Sequence, residues 1–319
     1  MNDDGHDMLA PASDAASSIA GLWWVMLGIS GVVFLIVIGL YAYAALRPRG
    51  EAPSPDDHGA TASTRGAQRL VLIGGGAVPA VILVAMTVLT IGVLNGLLIP
   101  THGSEAEVEV IGHQYWWEIR YLGTGAVTAN ELHLPVGRPT RVRLRSADVI
   151  HSFWVPRLHG KMDMTPGRTT ELVLHPREAG VFRGFCGEFC GMQHALMGML
   201  VVAQPADSFA VWLEEQARPA LAEVAPGAGV GQAVYARADC ALCHAIRGAG
   251  APPPAEAGPD LTHLASRRTI GAGTRPNTTE HLREWIIDPH RAKPGVRMPA
   301  TRLPDEELDT LVAYLQGLR

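Results

Sequence analysis

Two long apolar runs open the chain: residues 20–46 and 70–99 each lack Asp, Glu, Lys and Arg. At about 1.5 Å of rise per residue, the first reaches about 40 Å and exceeds the ~30 Å hydrocarbon core of a bilayer. Gly74, Gly75, Gly76 and Pro79 in the second run are tolerated in membrane helices and costly in soluble ones. The pattern predicts a transmembrane hairpin over residues 20–99, with helices at about 20–46 and 70–99, behind a tail of residues 1–19. From residue 100 to 204 the period shortens. Val108 and Val110 alternate with acids, Val142 and Leu144 alternate with Arg141, Arg143 and Arg145, and Gly and Pro mark turns between. Short strands at this spacing predict an all-β sandwich, the arginines being the wet face of one strand. Residues 205–230 shift to Ala, Pro and Gly around one amphipathic stretch, 207–216, and predict a linker. Residues 231–319 return to helical spacing at 231–244, 279–287 and 305–318. In the last of these Leu308, Leu311, Val312 and Leu315 share a face. This predicts a small all-α domain, too small to be stable without a staple.

Composition narrows the class. In 319 residues, 47% are hydrophobic and only 18% charged, with a net charge of −5. A nucleic-acid binder would carry a basic stripe, and neither side of Pro226 does. The tail holds Asp3, Asp4, Asp7 and Asp14 with no Lys or Arg, the reverse of a signal-peptide n-region. Arg47, Arg49, Arg65 and Arg69 lie between the two apolar runs, so the positive-inside rule puts that loop in the cytoplasm. The N-terminus and everything after residue 99 then face outward, periplasmic in a bacterium with two membranes. Four cysteines in an oxidising compartment raise the disulfide reading first.

Cys240-Ala-Leu-Cys243-His244 offers two thiols for thioether links to haem vinyls and a histidine for the iron. Met298, 54 residues beyond His244 and followed by Pro299, is the candidate sixth ligand. A thioether there favours reduced iron. This segment resembles the class I cytochrome c family, in which the first and last helices cross; the crossing would fall at Gly231, Tyr235 and Tyr314. His263, His281 and His290 are competing ligands and read as surface residues.

A second constellation joins Cys186, Glu188, Cys190, His194 and Met197 to His151, 35 residues before Cys186. Zinc in a Cys₂His₂ site is the rival. Met197 has no place in a structural zinc tetrahedron, whereas a weak thioether beside Cys and His suits copper. Two coppers bridged by both sulfurs, each with one histidine, would use every ligand. Gly187 and Gly191 would let the loop fold tightly.

These motifs together resemble subunit II of the haem–copper cytochrome c oxidases, in the form with a C-terminally fused cytochrome c. The resemblance implies a cupredoxin-like sandwich with a dinuclear copper centre (CuA) over residues 100–204 and a covalent haem c over residues 231–319. Cys186 and Cys190 would bridge the coppers, His151 and His194 would be terminal ligands, and Met197 and the Glu188 carbonyl the weak ones. The Glu188 side chain would reach a magnesium at the subunit I boundary. Electrons from an upstream donor, cytochrome c or its reductase, would pass through haem and copper to subunit I of a proton-pumping oxidase that reduces O2 to water. This chain would hold no oxygen-reducing site, and would lie in the bacterial inner membrane. Gly112-His113-Gln114-Tyr115-Trp116-Trp117 resembles the family's electron-accepting aromatic segment, with Tyr115 where Trp is usual; Trp116 and Trp117 read either as part of that route or as packing against subunit I. Many relatives carry Glu seven residues before the helix proline, where this chain has Leu72. Two alternative functions share these motifs: electron transfer in a copper-containing nitric oxide reductase, and membrane-tethered copper delivery or sensing.

Overall fold

The computed structural model describes residues 7–48, 61–97, 107–220, 228–248 and 258–319. The chain divides into two compact units, one of residues 17–98 and one holding the rest.

The first unit is helical. Helix α1 spans Asp14–Leu46 and begins six residues before the charge-free run, because Ser13 Oγ accepts from the Ala16 N–H at 3.0 Å and caps it. Helix α2, Thr61–Leu72, leads through a π-turn, Ile73–Ala77, into α3, Val78–Leu97. The second helix therefore starts before residue 70, since a helix continues into its polar flank past the point where a membrane core would end. In the π-turn Val78 N–H reaches back to Ile73 O. Three glycines and the missing N–H of Pro79 make this the weak point of the helical ladder. Both helices are long and apolar enough to cross a membrane.

The second unit holds the sandwich and the helical domain. Strands β1 (Val108–His113), β2 (Trp116–Tyr121), β3 (Val127–Ala129), β5 (Thr140–Ser146) and β8 (Thr170–Leu174) form one sheet, ordered β3-β2-β1-β5-β8. Strands β4 (Glu131–Pro135), β6 (His151–Trp154), β7 (Met162–Met164), β9 (Gly180–Cys186) and β10 (Gly198–Gln204) form the other, ordered β4-β10-β9-β6-β7. Alternation explains which side chains enter the core. Val142 and Leu144 are fully buried while Arg141 and Arg143 pair outside with Glu171, so the arginine run is the outer face of β5. The same parity places Trp117 and Ile119 inside at 0% exposure.

The expected linker begins as a helix. Helix α4, Ala206–Ala217, buries Phe209 against the sandwich, and Trp212 stacks on His133 at 3.9 Å. The terminal domain contains α5 (Ala228–Arg237), a short ladder of β11 (Thr269–Ile270) and β12 (Arg275–Pro276), α6 (Thr279–Ile287), α7 (Pro289–Ala292) and α8 (Asp305–Gln316). Helices α5 and α8 cross at Gly231, where an added Cβ would lie 2.4 Å from Tyr314 Cβ and 2.8 Å from Thr310 O. Only glycine allows that approach, and the crossing falls where the family resemblance put it.

Candidate metal and haem sites

The strand ends build the first site. β9 ends at Cys186 and β6 begins at His151; the two strands pair at Phe153 opposite Cys186. The loop from residue 187 returns through a 3-10 turn, His194–Leu196, to Met197, whose carbonyl accepts from Cys186 N–H at 3.1 Å. The soft donors converge. Cys186 Sγ lies 3.8 Å from Cys190 Sγ and 3.8 Å from His151 Nδ1, while Cys190 Sγ lies 3.8 Å from His194 Nδ1 and 3.9 Å from Met197 Sδ. The Glu188 carbonyl oxygen is 3.1 Å from Cys186 Sγ. Both cysteines are free and buried. A disulfide holds its sulfurs about 2.05 Å apart, so the spacing is that of separate thiols facing a shared space.

Second partners aim the ligands. His151 Nε2 donates to Asp148 Oδ1 at 2.8 Å, which leaves Nδ1 directed at the sulfurs. Burial opposes charge on His151, yet the Asp148 carboxylate and the Cys186 sulfur outweigh it and raise its pKa. The Cys190 thiol hydrogen-bonding toward Cys186, against the cost of burial and with help from His151, holds Cys186 far below the ordinary thiol range. The first shift reports the negative charge around His151, and the second reports donors that stabilise the Cys186 thiolate, the form in which sulfur binds a metal. Gly112 makes room for the His151 ring, since an added Cβ there would sit 2.9 Å from Cδ2. Gly191 is required by its φ of 123° and by Tyr115 Oη, 2.5 Å from an added Cβ. Gly187 is not: its added Cβ would meet nothing nearer than 3.4 Å, because the loop turns four residues later. The Glu188 carboxylate accepts from Lys161 Nζ at 3.3 Å, with Asp163 beside the same lysine at 3.5 Å.

The second site is a largely apolar cavity of about 330 Å³ in the helical domain, lined by Cys240, Cys243, His244, Arg267 and Met298 among others. His244 Nδ1 donates to Pro259 O at 2.8 Å, leaving Nε2 as its free nitrogen. Burial lowers the His244 pKa, so the ring stays neutral, as a ligand must. Gly258 admits the ring; its added Cβ would lie 2.8 Å from His244 Cε1. Arg267 is 7% exposed and its Nε has no partner among the described residues, a buried cation suited to an acidic substituent of a ligand in that cavity. An apolar cavity with two free thiols, an aimed imidazole, a thioether and this guanidinium fits a covalently held haem. His263 departs from expectation: it is 2% exposed, its Nε2 donating to Arg218 O at 3.1 Å to tie the helical domain to the end of α4.

The aromatic segment divides. Tyr115 and Trp116 line the same cavity, Trp116 stacking on His113 at 4.3 Å. Trp117 is a core residue in edge contact with Phe153, so it neither receives electrons at a surface nor packs against a partner; strand parity turns it inward. Sequence reasoning missed Asp148, Glu131, Gln114, Gln193, Lys293 and Arg297. Asp148, three residues before His151, was within reach of a sequence argument; the others act across domains. Glu131 Oε1 accepts from the N–H groups of Arg268 and Thr269 at 2.5 and 3.0 Å. Burial pushes the Lys293 pKa down to about 7, and its Nζ donates to Tyr115 O at 2.7 Å.

Residues 123–204 match the family described as cytochrome c oxidase subunit II, periplasmic domain, and residues 229–319 match cytochrome c. Cytochrome c oxidase subunit 2 of Alkalihalophilus pseudofirmus is 34% identical over 303 residues, 92% of this chain and 84% of that protein. The Bacillus subtilis protein of the same name is 33% identical over 222 residues, 66% of this chain and 62% of that protein. Among solved structures, the periplasmic domain of subunit II of cytochrome oxidase from Bradyrhizobium japonicum is 28% identical, covering 37% of this chain and 96% of that one at a TM-score of 0.35. With both domains and the membrane-length helices accounted for, the chain belongs to the cytochrome c oxidase subunit 2 family, a membrane-anchored oxidoreductase subunit that carries a cytochrome c domain.

Proposed function

We propose that this chain is the electron-accepting subunit of a terminal oxidase, carrying electrons from a respiratory donor through its cytochrome domain and its copper site to subunit I, where O2 is reduced. Cys240 and Cys243 would hold a haem c covalently, with His244 and Met298 as axial ligands. His151, Cys186, Cys190, His194, Met197 and the Glu188 carbonyl would hold a dinuclear copper centre. When bound, these groups supply reversible one-electron chemistry at two positions in one polypeptide. The protein supplies the rest. His151 is aimed by Asp148 and His244 by Pro259, the Cys186 and Cys190 sulfurs are held apart, and burial shields His151, Cys186, Cys190 and Met197 from water. The exposed Glu188 carboxylate is the group placed to share a magnesium with subunit I. Arg47, Arg65 and Arg69, basic residues between the two apolar stretches, favour an orientation with both redox domains outside.

The observation that carries this reading is the convergence of two sulfurs, two imidazoles and a thioether at 3.8 to 3.9 Å. Copper delivery fits less well, because His151, Cys190 and Cys186 are 0%, 3% and 6% exposed and exchange needs accessible thiolates. The test is metal content and electron paramagnetic resonance of the detergent-solubilised full chain. Two coppers per haem sharing one unpaired electron are expected. One copper, zinc or a Cys186 to Cys190 disulfide would overturn the assignment.

A further inference from the structure

The helical domain does not merely follow the sandwich in sequence; one short segment of it is bonded to the copper loop. Residues 293–298 end at Met298. Gln193, the neighbour of His194, is 1% exposed, and its Nε2 donates to both Lys293 O at 3.1 Å and Pro294 O at 2.8 Å. Two consecutive carbonyls can face one amide because Gly295 reverses the chain at φ 81°. An added Cβ on Gly295 would lie 2.4 Å from Met192 Sδ, which measures how closely the two loops approach.

Two further contacts tie the same segment to the same place, each passed on to the copper loop by a second hydrogen bond. Lys293 Nζ donates to the carbonyl of Tyr115, whose hydroxyl accepts from Met192 N–H at 3.1 Å. Arg297 donates to Gln114 Oε1 at 2.6 Å, and Gln114 Nε2 donates to Cys190 O at 2.6 Å. One hydrogen bond, that of Gln193, thus separates the backbone carrying Met298 from the backbone carrying His194.

We propose that Gln193 is the positioning residue that locks residues 293–298 of the cytochrome domain onto the copper loop, so that electrons cross between the two sites in one docked arrangement rather than through repeated encounters. This rests on the two metal sites assigned above. One electron passes and no bond is made or broken, so the protein's part is to keep the separation short and constant. Without the lock the domain remains tethered at an effective concentration of order mM, and transfer continues by re-encounter, slower and dependent on salt. With it, transfer is independent of ionic strength.

The experiment uses the full haem- and copper-loaded chain in detergent, with Gln193→Glu and Arg297→Met. Gln193→Glu is nearly isosteric and turns an acceptor toward two carbonyl oxygens. Two readouts are taken: hydrogen exchange of the amides of Lys293 and Gly295 to Met298, and the rate of haem-to-copper equilibration after flash reduction at low and high salt. Each variant is expected to exchange about tenfold faster and equilibrate about tenfold more slowly, since a lost buried hydrogen bond shifts an equilibrium by that order, with unchanged haem and copper spectra and a new salt dependence. Unchanged exchange and rate in Gln193→Glu would overturn the proposal. So would slowing confined to Gln193→Glu with an altered copper spectrum, which would place its effect on His194. Failure of the underlying assignment would be seen separately, as missing copper or haem in the unsubstituted protein, and the proposal would fall with it.

Discussion

Replacing Glu131 by Ala should loosen the cytochrome domain from the sandwich while leaving every proposed metal ligand in place. Glu131 is 1% exposed on β4, and its Oε1 is the acceptor for the N–H groups of Arg268 and Thr269, 137 and 138 residues away. Each buried N–H left without an acceptor costs about 1–3 kcal/mol. Thr269 is buried and Arg268 exposed, so with water serving the Arg268 N–H the loss is about 2–3 kcal/mol, or about 30- to 140-fold in the ratio of docked to undocked forms at ~1.4 kcal/mol per decade. Arg267 adds to this. Burial lowers its pKa, and Asp260 and Glu131 are the charges that oppose the effect, so the variant also removes a counter-charge from a buried guanidinium. The assay is hydrogen exchange at the Arg268 and Thr269 amides, with limited proteolysis between α4 and α5 as a second reading. Glu131→Gln keeps an acceptor oxygen and loses only the charge, so its effect should be smaller, about 1 kcal/mol. Amide protection and protease resistance in Glu131→Ala equal to the parent would refute the reasoning.

Other expected outcomes follow from single contacts. Asp148→Asn removes the carboxylate that receives His151 Nε2 and should weaken metal binding about 10- to 100-fold, measured by competition with a copper chelator. Gly231→Ala forces a Cβ against Tyr314 and Thr310 and should cost about 1–3 kcal/mol of cytochrome-domain stability, read from thermal unfolding followed at the haem band. His159 is buried, its Nδ1 bonded to Gly160 O at 3.0 Å, and burial lowers its pKa. Below the unfolded value near 6.5 the unfolded chain binds a proton that the folded one refuses, so stability falls as pH drops from there toward the lowered folded pKa. His159→Gln should flatten that fall, as measured by Tm between about pH 8 and about pH 5; an equal slope in both proteins would count against it.

Much of the architecture was legible before any coordinates. Charge-free runs longer than a bilayer core, the switch from period two to helical spacing, and two cysteine motifs with fixed offsets are local properties of the chain. Each of them dictates local geometry: a helix must satisfy its own backbone in lipid, and a strand must alternate. The proposed ligand loop was equally local, because Cys186, Cys190, His194 and Met197 fall within twelve residues, and only His151 had to be brought from another strand. Element ends were less legible. Ser13 moved the start of α1 outward by capping it, and the amphipathic stretch at 206–217 became a docked helix because Phe209 and Trp212 found apolar partners on the sandwich.

Tertiary structure alone decided how the two redox domains meet. Lys293 is 178 residues from Tyr115 and Arg297 is 183 from Gln114, and each basic side chain meets a neutral acceptor, a backbone carbonyl or an amide oxygen, that no periodicity or charge pattern marks. It also decided that Trp117 is core while its strand neighbour Trp116 lines the cavity of the helical domain, since adjacent strand residues point to opposite faces, and that Tyr115, just before the strand, lines the same cavity. Ligand identity is written in residue type and spacing along the chain. The approach of the two domains is set by a few side-chain donors meeting acceptors a hundred or more residues away, so it becomes visible only when the chain is folded.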